Sequence, residues 1–455
     1  MQEKSFFLKG DICWSVSPTA LETAENSFLL CLDGKSAGVF REFPGHYAHL
    51  PVRDHSGRLI LPGLTDLHTH APQFSFRALG MDMELLEWLN KNAFPEEAKY
   101  RDIGYAHDAY ARFIDHVKKG PNTRLCIFAT IHVPSTILLM DMLEESGLVC
   151  FVGKVNMDRN CPEYLTEANS AGATGEWLEA FFRGKSEGRY KNVYPILTPR
   201  FIPSCSDGLM KSLAGIQAQY GLPLQSHLSE NRREIEWVRA LCPQAENYAD
   251  AYAKFDLLGN GLPALMAHCV WPDEREIDIL AGKGVYVAHC PQSNMNLSSG
   301  IAPVRRFLER GINLGLGSDV AGGTHSSIFR AMSDAIQVSK LRRVLVTPPG
   351  GALSPGEDLP PALSLGEAFY MGTAGGGSFF GKLRSGDAGF GPAGSFEENW
   401  DFDALVIDDS KLRTGGNLSL RDRLERVVYL SDDRHIVEKY VRGLSIFTGK
   451  FDNAR

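Results

Sequence analysis

The nine cysteines of this 455-residue chain include no CxxC pair, and an odd, scattered set argues against a disulfide framework. Reduced thiols of a cytoplasmic enzyme fit that pattern. No run approaches the roughly 20 consecutive apolar residues that a membrane helix needs. The opening segment MQEKSFFLKG mixes charges of both signs and lacks the apolar stretch of a secretory leader. Nor is there a basic excess. With 47 Lys and Arg against 55 Asp and Glu, the formal net charge is −8, which disfavours a broad nucleic-acid surface. Small molecules are therefore the expected partners, with no nucleic acid and no membrane. No GxGxxG phosphate fingerprint follows the first apolar run of the alternating region. The HxE and PCxxC elements of the cytidine-deaminase zinc site are also missing.

What the chain does have is alternation. Eight short apolar runs appear in order: LPGLTDLHTH, RLCIFATIH, LVCFVGKVNM, NVYPILTPRF, LPLQSHLSE, PALMAHCV, VYVAHCPQSN and NLGLGSDV. Helix-patterned segments such as RREIEWVRALC and EREIDILAGKG lie between them. Eight strand–helix units over about 250 residues predict an α/β fold, a (β/α)8 TIM barrel, here across residues 61–378. An open doubly wound sheet shares the alternation, so the placement of polar residues decides. Seven runs end in or just past His70, His132, Lys154, Arg200, His227, His268 and His289, and the eighth ends in Asp319. A barrel gathers such ends at one mouth, whereas an open sheet would spread them along an edge.

The two ends of the chain, 1–60 and 379–455, read as strands. SFFLKGDICWSV, SFLLCLDGKSAGVF and LILPG lie at one end, and FDALVIDD, RVVYLSDD and IVEKYVRGLSIF at the other. They predict one small β-sandwich-like domain built from both termini. Glycine and proline crowd residues 372–394, predicting a surface excursion before the last strands.

His68 and His70 stand two apart on a strand, so both imidazoles point to one face. Neutral imidazole is a common metal ligand. Joined by His227, His268 and Asp319 at later strand ends, the pair predicts a metal site rather than a set of core histidines. One zinc ion per chain suits imidazoles plus a carboxylate with a position left for water; Fe2+ or Mn2+ would take the same ligands. Such an ion lowers the pKa of water from about 15.7 toward roughly 7, which is hydrolase chemistry. Glu230, three residues after His227, has two readings. It is a proton carrier beside the metal, or the carboxylate of a helix start capped by Ser229.

The segments LPGLTDLHTHAPQ, ATIHVPS, FVGKVNMD, ILTPRF, QSHLSEN, AHCPQSN and LGLGSDVAGG run in this order over nearly the whole chain. LLEWLNKNAFPEE and VYLSDDR add to them outside the site. Together they resemble the guanine deaminase family of the amidohydrolase superfamily, narrowed by APQ after the HxH, by TPRF and by DVAGG. The resemblance implies hydrolytic deamination of guanine to xanthine and ammonia, and a homodimer. It implies that His68, His70, His227 and Asp319 hold one zinc and that Glu230 shuttles protons. His268 would orient the attacking water or lie at the edge of the ligand shell, and Asp319 would also accept the water's proton. Gln73, Arg200 and Phe201 would hold the purine.

Chemistry supports those last roles. Arginine's planar fork matches the O6 and N7 edge of guanine, while adenine's amino group would meet it donor to donor. Glutamine both donates and accepts, which suits a mixed edge. The bland readings are a structural ion pair for Arg200 and core packing for Phe201. Lys154 ends the third strand, whereas the carbamylated lysine of two-metal relatives belongs on the fourth, so one metal is expected. His289 reads as structural, Cys290 as a buried thiol, and His132 as lining the pocket or packing beneath it. Gln292, Ser318 and the PNTR after Gly120 depart from the family pattern without removing a ligand. They bear on substrate preference. The alternatives are a relative acting on another aminopurine or a triazine, and a non-catalytic scaffold.

Overall fold

Four strands open the chain: β1 (Phe6–Ser17), β2 (Ala20–Leu32), β3 (Lys35–Phe40) and β4 (Val52–Pro62). They belong to a computed structural model that describes residues 4–258, 260–346, 360–383, 388–414 and 416–449. β2 turns into β3 through Asp33 and Gly34, with φ of 49° and 80°. Two successive left-handed residues are what a tight two-residue hairpin requires.

The middle of the chain supplies β5 (Leu64–His70), β6 (Asn122–Phe128), β7 (Val149–Gly153), β8 (Val155–Asn156), β9 (Val193–Pro195) and β10 (Thr198–Pro199). It continues with β11 (Leu224–Leu228), β12 (Ala264–His268), β13 (Tyr286–His289) and β14 (Asn313–Leu316). β5-β6-β7-β9 and β11-β12-β13-β14 are two four-stranded sheets whose neighbours all run parallel. All eight apolar runs read from the sequence are these eight strands. Every residue of β5, β6 and β7 is buried, as expected for parallel strands covered on both faces. Helices such as Ile103–Lys119, Val133–Ser146, Ser170–Ser186 and Asp207–Tyr220 separate them. The two sheets meet at both sides. Leu197 bridges to Leu224 in parallel, and beyond β14 the Asp319 and His70 amides donate to His68 O and Val320 O at 2.8 and 3.1 Å.

The chain closes with β15 (Ala404–Ile407), β16 (Ile436–Val441) and β17 (Leu444–Thr448). These join the first four strands in one seven-stranded sheet, ordered β17-β16-β15-β4-β1-β2-β3. The two termini thus meet in a single hydrogen-bonded sheet. Between β4 and β5 the chain passes through Gly63, where a Cβ would stand 2.3 Å from Thr123 Oγ1.

Two local expectations fail. RVVYL is not a strand but the end of a helix, Leu420–Leu430, capped by Ser419 with Asp422 returning the bond. Leu420, Arg423, Leu424, Val427 and Val428 are its buried residues, a helical spacing that a five-residue window conceals. The glycine-rich segment is not a surface excursion at its start, because residues 371–377 are buried. A Cβ on Gly375 would lie 2.6 Å from Leu314 O, and one on Gly377 only 1.8 Å from Ala393 O. These glycines permit close backbone packing. Residues 384–387 of the segment lie outside the described residues.

Candidate metal centre and substrate pocket

Asp66, His68 and His70 alternate along β5 and so share a face. Asp66 is fully buried and accepts from the Ser318 amide (2.9 Å), the Ser318 hydroxyl (2.5 Å) and the His68 amide (3.2 Å). These bonds, with Asp319 N–H on His68 O, pull the segment after β14 against the end of β5. Asp319 consequently reaches the histidines: its Oδ1 lies 3.2 Å from His68 Nε2 and 3.5 Å from His70 Nε2. His227 arrives from the end of β11, with Nε2 3.4 Å from His70 Nε2, which is itself 3.3 Å from His68 Nε2.

The protonation of this cluster follows from its surroundings. His227 Nδ1 lies 2.6 Å from Arg200 O; a carbonyl oxygen only accepts, so Nδ1 carries the proton and Nε2 presents a lone pair. Burial holds the His68 imidazole below its usual range, and those of His70 and His227 far below. Burial opposes ionisation of Asp319, but the neighbouring His68, His268 and His70 outweigh it and keep the carboxyl anionic. The ligand atoms of His68, His70 and His227 all lie within 4.8 Å of one another. Neutral imidazoles crowded against one carboxylate are a donor set that fits a divalent cation. Ser229, His268 and Asp319 have φ of 48°, 73° and 47°. Non-glycine residues in that region cost roughly 1–3 kcal/mol each, a strain that here accompanies the turning of side chains inward at strand ends.

His268 ends β12. Its Nδ1 lies 2.9 Å from Asn294 Oδ1, which turns Nε2 toward Glu230 Oε2 at 3.5 Å and Asp319 Oδ2 at 3.8 Å. Burial opposes its protonation, yet the Glu230 and Asp319 charges raise the imidazole overall. Burial, aided by the charges of Glu234 and Asp319, pushes the Glu230 carboxyl up to about 7, although Ser299 donates to it at 3.0 Å. Glu230 stands just ahead of the helix Arg232–Leu241, whose cap is Asn231 with Glu234 completing the box. Ser229 is not the cap: it is left-handed, and its hydroxyl donates to Glu276 at 2.6 Å.

One pocket is lined by His70, Gln73, Trp88, Arg200, Phe201, His227, Glu230, His268 and Asp319, among others. Arg200 donates from Nη1 and Nη2 to the two oxygens of Glu97, at 2.6 and 3.1 Å. Gln73 Nε2 donates to the same carboxylate at 2.8 Å, and Gln73 Oε1 accepts from the Ala321 amide at 3.1 Å. The two readings of Arg200 are therefore both present, a buried ion pair and a pocket wall. Phe201 lines the pocket and meets the Trp237 ring edge-on at 6.1 Å.

Three strand-end residues are elsewhere. His132 precedes the helix Val133–Ser146 and is not among the residues lining the cavity. Lys154 is fully buried against Glu167 at 2.5 Å. His289 is fully buried, and burial pushes its imidazole down to about 3. The Cys290 thiol is buried and donates to Ala288 O at 3.5 Å. Sequence reasoning missed Asp66, Glu97, Asn294 and Ser299. Asp66 had a signal, since it is in phase with the two histidines.

Residues 59–445 match the model of the amidohydrolase family, and the chain belongs to that family. Within it, the chain stands with the guanine deaminases. It is 37% identical over 401 residues to guanine deaminase of Dictyostelium discoideum, covering 87% of this chain and 84% of the relative. Guanine deaminase of Escherichia coli (strain K12) is 32% identical over 94% of this chain and 93% of its own. The crystal structure of guanine deaminase from C. acetobutylicum with guanine in its active site matches with a TM-score of 0.88. The two chains are 43% identical, over 97% of this one and 100% of that one.

Proposed function

We propose that this chain is a guanine deaminase, which replaces the 2-amino group of guanine by oxygen from water and releases xanthine and ammonia. One observation carries the reading: neutral imidazoles with Asp319, the raised Glu230 carboxyl, and Gln73 with Arg200 all face one cavity. We read the eight parallel strands as one (β/α)8 barrel spanning 61–378, flanked by the sheet of residues 1–60 and 379–455. The Leu197–Leu224 bridge and the bonds between β5 and the segment after β14 support closure.

His68, His70, His227 and Asp319 would hold one metal ion, zinc in our reading, with Fe2+ or Mn2+ able to use the same ligands. A cation bound there supplies a water acidified toward roughly pKa 7. Glu230, titrating near neutrality, would take one proton from the attacking water and pass it to a ring nitrogen of the purine. A C–O bond forms at the carbon that loses its C–N bond, and the second water proton goes to Asp319 and then, through Glu230, to the departing amino group, which leaves as ammonia. His268 stands beside both carboxylates and orients the water. Arg200 uses its remaining N–H groups on O6, so adenine, with an amino group there, is refused. A cytoplasmic homodimer completes the proposal, with sedimentation expected to give twice the 50.2 kDa chain mass.

Purified enzyme offered guanine, adenine, adenosine, cytosine and a triazine should release ammonia from guanine and form xanthine. Ammonia from adenine but not from guanine would overturn the reading. Metal analysis after chelator-free purification should find one equivalent per chain, and a chain purified nearly free of transition metal would return it to the scaffold alternative.

A further inference from the structure

We infer that Glu97 is the positioning residue that sets substrate discrimination, because it holds Gln73 and Arg200 in a single orientation. The inference rests on the guanine reading above. Glu97 belongs to the short helix Phe94–Ala98 and is 3% exposed. Its carboxylate receives three bonds, one from the Gln73 amide and two from the Arg200 fork.

Left alone, a glutamine amide can turn over and exchange its donor and acceptor ends. Here it cannot. The Ala321 amide can only donate and the Glu97 carboxylate can only accept, so a turned amide would meet donor with donor and acceptor with acceptor. One N–H and one oxygen lone pair of Gln73 are thereby assigned to the pocket. Arg200 has five N–H groups and spends two on Glu97. Its guanidinium also stands 5.1 Å from the ring centre of Phe94, on the same helix as Glu97. The remaining N–H groups are held at a fixed angle, ready for an acceptor on the ligand. The carboxylate also balances the arginine's charge, which suits a cavity that takes an uncharged base.

Were Glu97 only an anchor for its helix, its loss would weaken all purines alike. The test therefore compares two purines that cannot react, used as competitive inhibitors of guanine deamination. Hypoxanthine carries O6 and purine lacks it. Glu97→Gln keeps the shape but turns an NH2 toward one of the three donors. The preference for hypoxanthine over purine should fall at least about tenfold, the worth of one charge-assisted hydrogen bond. The guanine loss should appear mainly in KM, as for lost ground-state binding. Metal content should stay at the wild-type level. An unchanged preference, with both inhibitors weakened together, overturns the inference. If Glu97→Gln does not fold, Glu97→Asp keeps the charge beside buried Arg200 but retracts both oxygens, and the same preference is read. A fall supports the inference and an unchanged preference overturns it. Wild-type protein that leaves guanine intact overturns the guanine reading itself, whatever the inhibitor ratio shows.

Discussion

Glu230 owes its raised carboxyl to where it is buried. A carboxyl brought to about 7 is available in both forms near neutrality, which is what a group that takes and returns a proton requires. Glu230→Gln should retain the metal and slow turnover at least ~10²-fold, the lower end of general acid–base contributions. Near-wild-type turnover with metal in place would remove Glu230 from the mechanism. Arg200→Ala should weaken guanine binding and also lower stability by about 3–5 kcal/mol, because it strands the buried Glu97 charge. KM for guanine and the urea midpoint check the two effects, and a change in neither would make the pair dispensable. That His68, His70, His227 and Asp319 would come together was legible in the sequence, because strand period and strand ends make their positions regular. Glu97 was not legible: it lies between β5 and the first long helix, in a stretch without period, and its partner Arg200 is 103 residues away.

The elements divide along the same line. Parallel strands buried on both faces are near-continuous apolar runs, so all eight were readable. The end of Leu420–Leu430 was misread because RVVYL, rich in β-branched residues, looks extended when its capping Ser419 is outside the window. The glycine-rich segment misled for another reason. Glycine marks turns in general, but here it marks backbone in contact with backbone. Gly377→Ala should therefore destabilise the protein by about 1–3 kcal/mol, the usual cost of overpacking, read as a lower urea midpoint. An unchanged midpoint would show that residues 393–394 can move aside.

At the scale of the whole molecule, the seven-stranded sheet and the inner strands are tied by charges that neither part satisfies alone. Arg124 on β6 is fully buried and donates to Asp403, Asp401 and Gly391 O, each at 2.8 Å. From β16, buried Lys439 donates to Val117 O and Asn122 O, both at 3.0 Å. Burial opposes ionisation of Asp401, but Arg124 and Lys35 outweigh it and lower the carboxyl from 3.8 to about 2. A carboxyl lowered on folding stabilises fully above its unfolded value, and the contribution disappears as pH falls through the folded one. Asp401 should thus contribute on the order of 2 kcal/mol above about pH 4, lost toward pH 2. Arg124→Met should cost roughly 3–5 kcal/mol at pH 6 by leaving buried Asp403 without its guanidinium partner and Asp401 with Lys35 as its remaining close cation. It should also reduce the acid-side loss, because Asp401 would be held low by Lys35 without Arg124. Urea unfolding of both proteins between pH 6 and 3 reads the two effects, and parallel curves would mean that the cluster does not couple the parts. Arg124 lies opposite Thr65 in the β5–β6 register, at the far end of the strand from His68 and His70. The variant should therefore lose stability while keeping its metal, which separates the junction from the active site in one measurement.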